Sequence, residues 1–212
     1  MERGSPRAGM VTRMLRVFHR EHAGRPLRVV WTLEEIGAPY ELTVMNWDEG
    51  QTEEHRARHP LRRVPVLQED DGFVFESSAI CLHLADRYPD AGLVPALATH
   101  DRALVYQWCS FGPAELEPWL IEAATWSDRD AERAAAARKR FWKAVAAVEE
   151  ALGTREYLVG ELFTVADVML SSVLGFTTRA GLPEQLPKPL AEYVARMRDR
   201  PAYKRAAERM SG

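Results

Sequence analysis

Cysteine is scarce in this chain. Cys81 and Cys109 are the only two in 212 residues, so no disulfide framework is implied and a reducing compartment suits it. Each lies within a helix-like apolar pattern, where a thiol serves as a small apolar residue. An excess of positive charge is also missing. The 28 basic and 31 acidic residues leave a formal net charge of -3, which argues against a nucleic-acid surface, because phosphate binding calls for clustered Lys and Arg. No apolar run approaches the roughly 20 residues that cross a bilayer, so no membrane association is expected. Residues 1–13, MERGSPRAGMVTR, carry charge, Gly and Pro without the apolar stretch of an export signal; they are expected to form a flexible leader, and the protein to be cytoplasmic. His55, His59, His83 and His100 show no ligand-like spacing with carboxylates or cysteines, and no metal site is expected.

What is present is ordinary globular composition, 46% hydrophobic and 28% charged, enough for one large domain or two small ones. Residues 14–18 read as a short strand. Pro26 opens a helix whose Val29, Val30, Leu33 and Ile36 recur at helical spacing, and Gly37 ends it. A second, alternating strand follows at residues 40–45, then a polar stretch with room for one short helix. Residues 65–67 and 73–75 flank Asp71–Gly72, a strong hairpin signal, and a helical period runs from Ser77 through Ile80, Cys81 and Leu84 to Tyr88–Pro89. This order predicts an α/β unit over residues 14–90, with one mixed sheet covered by helices. Residues 91–100, rich in Gly and Pro, read as a linker, and residues 101–212 as all-helical. There Phe141, Val145, Val148 and Leu152 mark the inward stripe of a long helix, and FTVADVML at 163–170 offers Thr164 as a cap answered by Asp167 three residues on.

The segment RRVPVLQEDDGFVFESSAI, residues 62–80, carries the chemistry. Pro65 has no amide hydrogen to give a sheet, and two readings stand side by side. It is a plain edge-strand proline, or it enters through a cis turn that frees the Val64 amide and carbonyl to pair with an extended peptide. Glu76–Ser77 likewise reads as simple helix capping, or as a place where Ser77 receives a carboxylate at a helix start while Glu76 accepts from an ammonium.

Taken together, MLRVFHR and RPLRVVWTLEEIGAPYELTVMN, then RRVPVL and ESSAICLHLADRYPD, then FTVADVML and YVARMRDRPAYKRA resemble the bacterial cytosolic glutathione transferases over about residues 14–210. The resemblance implies a thioredoxin-like N-terminal domain that binds glutathione, an all-helical C-terminal domain lining a site for a small hydrophobic electrophile, and a homodimer. It implies that the Val64 main chain pairs with the cysteinyl part of glutathione, that Pro65 is the cis-proline after it, that Glu76 and Ser77 hold the γ-glutamyl end, and that Arg63 faces the glycine carboxylate. In the aromatic-rich stretch YQWCSFGPAELEPWL at 106–120, one face is expected to be core, with Tyr106, Phe111 or Trp119 turned toward the co-substrate.

One departure stands out. Where the family places a Tyr, Ser or Cys beside the glutathione sulfur, this chain reads HREHAGRP at 19–26, with Ala23 or Gly24 where a Ser is expected. The thiolate is the nucleophile and an ordinary thiol has a pKa of about 8.5, so something must lower it. The cations Arg20, Arg25 and protonated His22, or the amides around Ala23 and Gly24, are the local candidates. The alternatives are a glutathione-dependent isomerase, dehalogenase or reductase, and a non-catalytic glutathione-binding protein.

Overall fold

A computed structural model describes residues 14–21, 24–177, 180–182 and 184–211; the expected leader at 1–13 lies outside them. Four strands, β1 (Leu15–His19), β2 (Tyr40–Val44), β3 (Val66–Glu69) and β4 (Gly72–Phe75), form one sheet in the order β2-β1-β3-β4. The first pair is parallel, with α1 (Gly24–Ile36) in the connection, and the other pairs are antiparallel. A short α2 (Glu53–Arg58) precedes β3, and α3 (Ser77–Arg87) follows β4. This is the mixed sheet the sequence predicts.

Alternation along β1 separates the two faces. Leu15 and Val17 enter the main core with α1 and α3, while Phe18 joins Met45 and Val66 in a small cluster on the other face. The hairpin differs from the expected one by one residue. Glu69 pairs with Gly72, so Asp70–Asp71 make the turn and Gly72, at φ 139°, begins β4. That register sets Leu67 opposite Val74, an apolar cross-strand pair on the main-core face; a turn at Asp71–Gly72 would have set Glu69 opposite Val74 and Glu76 opposite Leu67.

The remaining helices are α4 (His100–Phe111), α5 (Glu117–Trp126), α6 (Ala131–Leu152), α7 (Val165–Leu174), α8 (Lys188–Asp199) and α9 (Pro201–Arg209). Between α4 and α5 the backbone takes a wider π-helical course over Gly112–Leu116. The α6 stripe is buried as expected, at Phe141, Val145, Val148 and Leu152. At α7 the capping box is complete: Asp167 is fully buried and accepts from the Thr164 and Leu158 amides at 2.9 Å each and from the Tyr193 hydroxyl at 2.8 Å. Burial pushes the Asp167 carboxyl above the ordinary carboxylate value against the pull of these donors.

Helix α1 joins the sheet to the helical layer, packing on α3, α7 and α9. Its Trp31 is buried against Phe163 and Tyr203, with ring centroids 5.7 and 5.0 Å away. Glu35 beside it accepts from Arg200 at 2.6 and 2.9 Å. Side chains in the second half of α1 therefore meet the helical layer directly.

Candidate functional site

The Val64–Pro65 peptide bond is cis. Pro65 is buried, Val64 half-buried, and among the described residues no hydrogen bond reaches the Val64 amide or carbonyl. The segment before it is held from α2. Buried His55 lies 3.0 Å from the Arg63 carbonyl through Nε2, which fixes that carbonyl and leaves the Arg63 side chain exposed. Among the described residues the buried His55 Nδ1 has no partner, so the neutral Nε2–H tautomer is the one that fits. Burial lowers the pKa values of His55 and of His59 beside it.

Ser77 is buried as the first residue of α3, where no side chain caps the helix. Its first-turn amides are thus free for a ligand oxygen. Glu76 before it is exposed and has φ 70°, a region that side-chain-bearing residues rarely adopt and that costs about 1–3 kcal/mol.

Facing Val64 across the gap between sheet and helices is a cavity of about 280 Å³ whose wall includes Gly24, Arg25 and Arg28 from α1, Glu117 from α5, and Phe176 just past α7. Leu120, Ile121 and Val173 make much of the rest apolar. Glu117 is 8% exposed and holds two cations: Arg25 donates to it through Nε at 3.0 Å, and Arg28, 3% exposed, donates through Nη2. Arg28 also donates from Nε to Ser172 Oγ at 3.2 Å and from Nη1 to Ser77 Oγ at 3.3 Å. Two guanidiniums against one carboxylate leave a net positive charge at the polar end of an apolar cavity.

Of the residues expected from sequence, the structure brings Gly24, Arg25 and Val64 to one cavity, and ties Ser77 to it through Arg28. His22 and Ala23 lie outside the described residues. Arg20 does not line this cavity; its guanidinium reaches the Arg62 carbonyl at 3.4 Å and sits over the Trp47 ring.

Tyr106, Phe111 and Trp119, expected beside the co-substrate, lie away from this cavity. Tyr106 is exposed and its hydroxyl accepts from Arg102 at 2.8 Å. Phe111 packs edge-on against Trp108 at 5.3 Å, and Trp119 lies under the Arg140 guanidinium at 4.4 Å. The wide turn at Gly112–Leu116 rotates the following helix, so that α5 presents Glu117, Leu120 and Ile121 instead. Sequence reasoning missed Arg28, Glu117 and Ser172. A signal existed for Glu117, an acid set within the apolar series Leu116, Leu120 and Ala123.

Among the described residues no helix is long and apolar enough to cross a membrane, and no group of three or more His, Cys, Asp or Glu side chains is placed to hold a metal ion. Both cysteines are buried, and burial pushes the Cys81 thiol up to about 11.

Comparison with known proteins gives a concordant picture. Residues 15–86 match the glutathione S-transferase N-terminal domain and residues 130–207 the C-terminal domain. A glutathione S-transferase-like protein of Fusarium is 30% identical over 71% of this chain and 72% of its own length. Elongation factor 1-gamma of Prunus avium is 32% identical over 68% of this chain, and the match spans 34% of that protein's length. Among solved structures, a sphingomonad glutathione S-transferase complexed with glutathione superposes with a TM-score of 0.81 at 28% identity, covering 92% of this chain and 98% of that one. The chain belongs to the glutathione S-transferase family.

Proposed function

We propose that the chain is a glutathione transferase in which glutathione lies along Val64 and the thiolate attacks a small hydrophobic electrophile in the cavity beside it. In this reading Glu76 and Ser77 hold the γ-glutamyl end, the Val64 amide and carbonyl pair with the cysteinyl part, and Arg63 faces the glycine carboxylate. The observation that carries the reading is the pair of main-chain atoms at Val64, unclaimed among the described residues, on the wall of a largely apolar cavity with surplus positive charge. The thiol loses its proton to solvent, the sulfur forms a bond to an electrophilic carbon, and a halide or similar group leaves with the bonding electrons. Arg25 lowers the thiol pKa by its charge, and the amide of Gly24 is a further donor beside it. The residues over 14–90 make the glutathione site, 91–100 link them to the helical part over 101–212, and the chain acts in the cytoplasm as a homodimer.

Turnover of a chromogenic aryl halide with glutathione, together with retention on immobilised glutathione, tests the reading. Failure of both overturns it. Retention without turnover favours the second reading, a glutathione-binding protein without catalysis. Two observations speak for that second reading: Arg25 already has Glu117 as counter-ion, and no Ser, Tyr or Cys occurs in residues 19–26. Sedimentation as a monomer at micromolar concentration would remove the homodimer from either.

A further inference from the structure

We propose that Arg28, clamped by Glu117 and Ser172, fixes the Ser77 hydroxyl as a hydrogen donor toward a ligand carboxylate, which makes Arg28 and Glu117 positioning residues for the acidic head of the bound thiol. The inference rests on the glutathione reading of the site. A serine hydroxyl has one hydrogen to donate and two lone pairs to accept with, whereas a guanidinium only donates. Arg28 Nη1, 3.3 Å from Ser77 Oγ, therefore occupies a lone pair and leaves the hydroxyl hydrogen unclaimed. Among the described residues Ser77 Oγ has no other partner. The hydrogen is thus left for an acceptor at the uncapped start of α3, where the first-turn amides favour an anion. A positive charge on the far side of the oxygen strengthens the donor further.

Arg28 is not free to turn away. It is 3% exposed, its Nε is held by Ser172 at 3.2 Å, and its Nη2 is ion-paired with Glu117. Ser172 lies on α7 and Glu117 on α5, so the helical layer sets the direction of a hydrogen bond donated by the α/β layer. A plain structural tie between the two layers would make the same contacts without regard to the ligand's charge, and that difference is measurable.

The experiment measures, by calorimetry, the affinity of wild type, Arg28→Lys, Ser77→Ala and the double variant for glutathione and for its analogue amidated at the γ-glutamyl α-carboxylate. Arg28→Lys should weaken glutathione binding about tenfold, the size of one hydrogen bond to a charged group. It should change the amide's affinity less than about twofold, and in that background Ser77→Ala should add little further loss. Equal losses for acid and amide, or additive losses in the double variant, overturn the proposal and leave Arg28 a structural tie. Should Arg28→Lys fail to fold, Ser172→Ala removes only the Nε partner; a loss confined to the acid supports the proposal, and unchanged affinity for both ligands overturns it. Wild type that binds neither ligand overturns the glutathione reading itself.

Discussion

Replacing Glu117 tests the electrostatics of the cavity through two readouts that move together. Glu117 is the anion shared by Arg25 and Arg28, and of these only Arg28 is thoroughly buried, with 3% of its side chain exposed against 39% for Arg25. Glu117→Ala strands the Arg28 charge in a place water hardly reaches. Removing one partner of a buried ion pair costs about 3–5 kcal/mol, and here the retained contacts to Ser172 and Ser77 set the lower end of that range. Against a total stability of about 5–15 kcal/mol for a folded chain, this is a loss that urea titration resolves easily. Glu117→Gln keeps an acceptor for one guanidinium and should cost about half as much. At the same time each variant raises the charge at the polar end of the cavity by one unit. A single charge acting over some 5–8 Å through an effective dielectric between about 20 and 80 shifts a thiol by roughly one pKa unit. Titration of bound glutathione by its ultraviolet thiolate absorbance should therefore show a lower pKa in Glu117→Gln than in wild type. An unchanged or higher value, in a variant shown to fold and bind, refutes the assignment of thiol activation to Arg25.

Asp167→Ala leaves the Thr164 and Leu158 amides and the Tyr193 hydroxyl without an acceptor in the core, and should destabilise by about 3–5 kcal/mol, whereas Thr164→Ala should cost about 1 kcal/mol; near-wild-type stability of Asp167→Ala would show that water repairs the site. Burial lowers the folded-state pKa values of His19, His55 and His59 from 6.5, so the unfolded chain takes up protons first and stability falls as pH drops from about 7 through their folded values, with no contribution at higher pH. Arg20, Arg58 and His59 face His55 and add to this; a urea midpoint that stays level from pH 7.5 to about 5.5 contradicts it. Cys81 and Cys109 should resist thiol reagents in the native protein and label fully in denaturant, and rapid native labelling would show that their neighbourhood opens.

Elements with a strong local signal were legible in the sequence. The Thr164–Asp167 capping box, the α6 stripe and the stop at Gly37, whose φ is 74°, follow from chemistry within a few residues. The hairpin was legible in kind with its turn one residue late, which is two residues in pairing register, because Asp71–Gly72 is the stronger turn pair but the pairing of Leu67 with Val74 decides. The cis bond at Pro65, one of two readings the sequence left open, and the backbone irregularity at Glu76 are likewise local. The cavity wall is not. Arg28 meets Glu117 and Ser172 from two other helices, 89 and 144 positions away, and no spacing within one helix announces them. The facing of Trp119 was hidden for a subtler reason: between α4 and α5 the backbone leaves the α-helical period at Gly112–Leu116, so spacing in α4 does not carry over to α5.

In the proposed transferase reading the cavity would separate two tasks that an activating hydroxyl would combine. A Tyr or Ser beside the sulfur both locates it and stabilises its charge with one hydrogen bond. The stretch 19–26 offers no such group, so in the proposed transferase reading location would fall to main-chain atoms at Val64 and the charge to guanidiniums on α1. Such an arrangement depends on the balance between Arg25, Arg28 and Glu117, and that balance is set by α5. A rotation of α5 by one residue, of the kind the wide turn at Gly112–Leu116 produces, would withdraw Glu117 from both cations and set Leu116 or Pro118 in its place. The irregular turn in the helical layer is therefore as much a part of the electrostatics as the charged residues themselves.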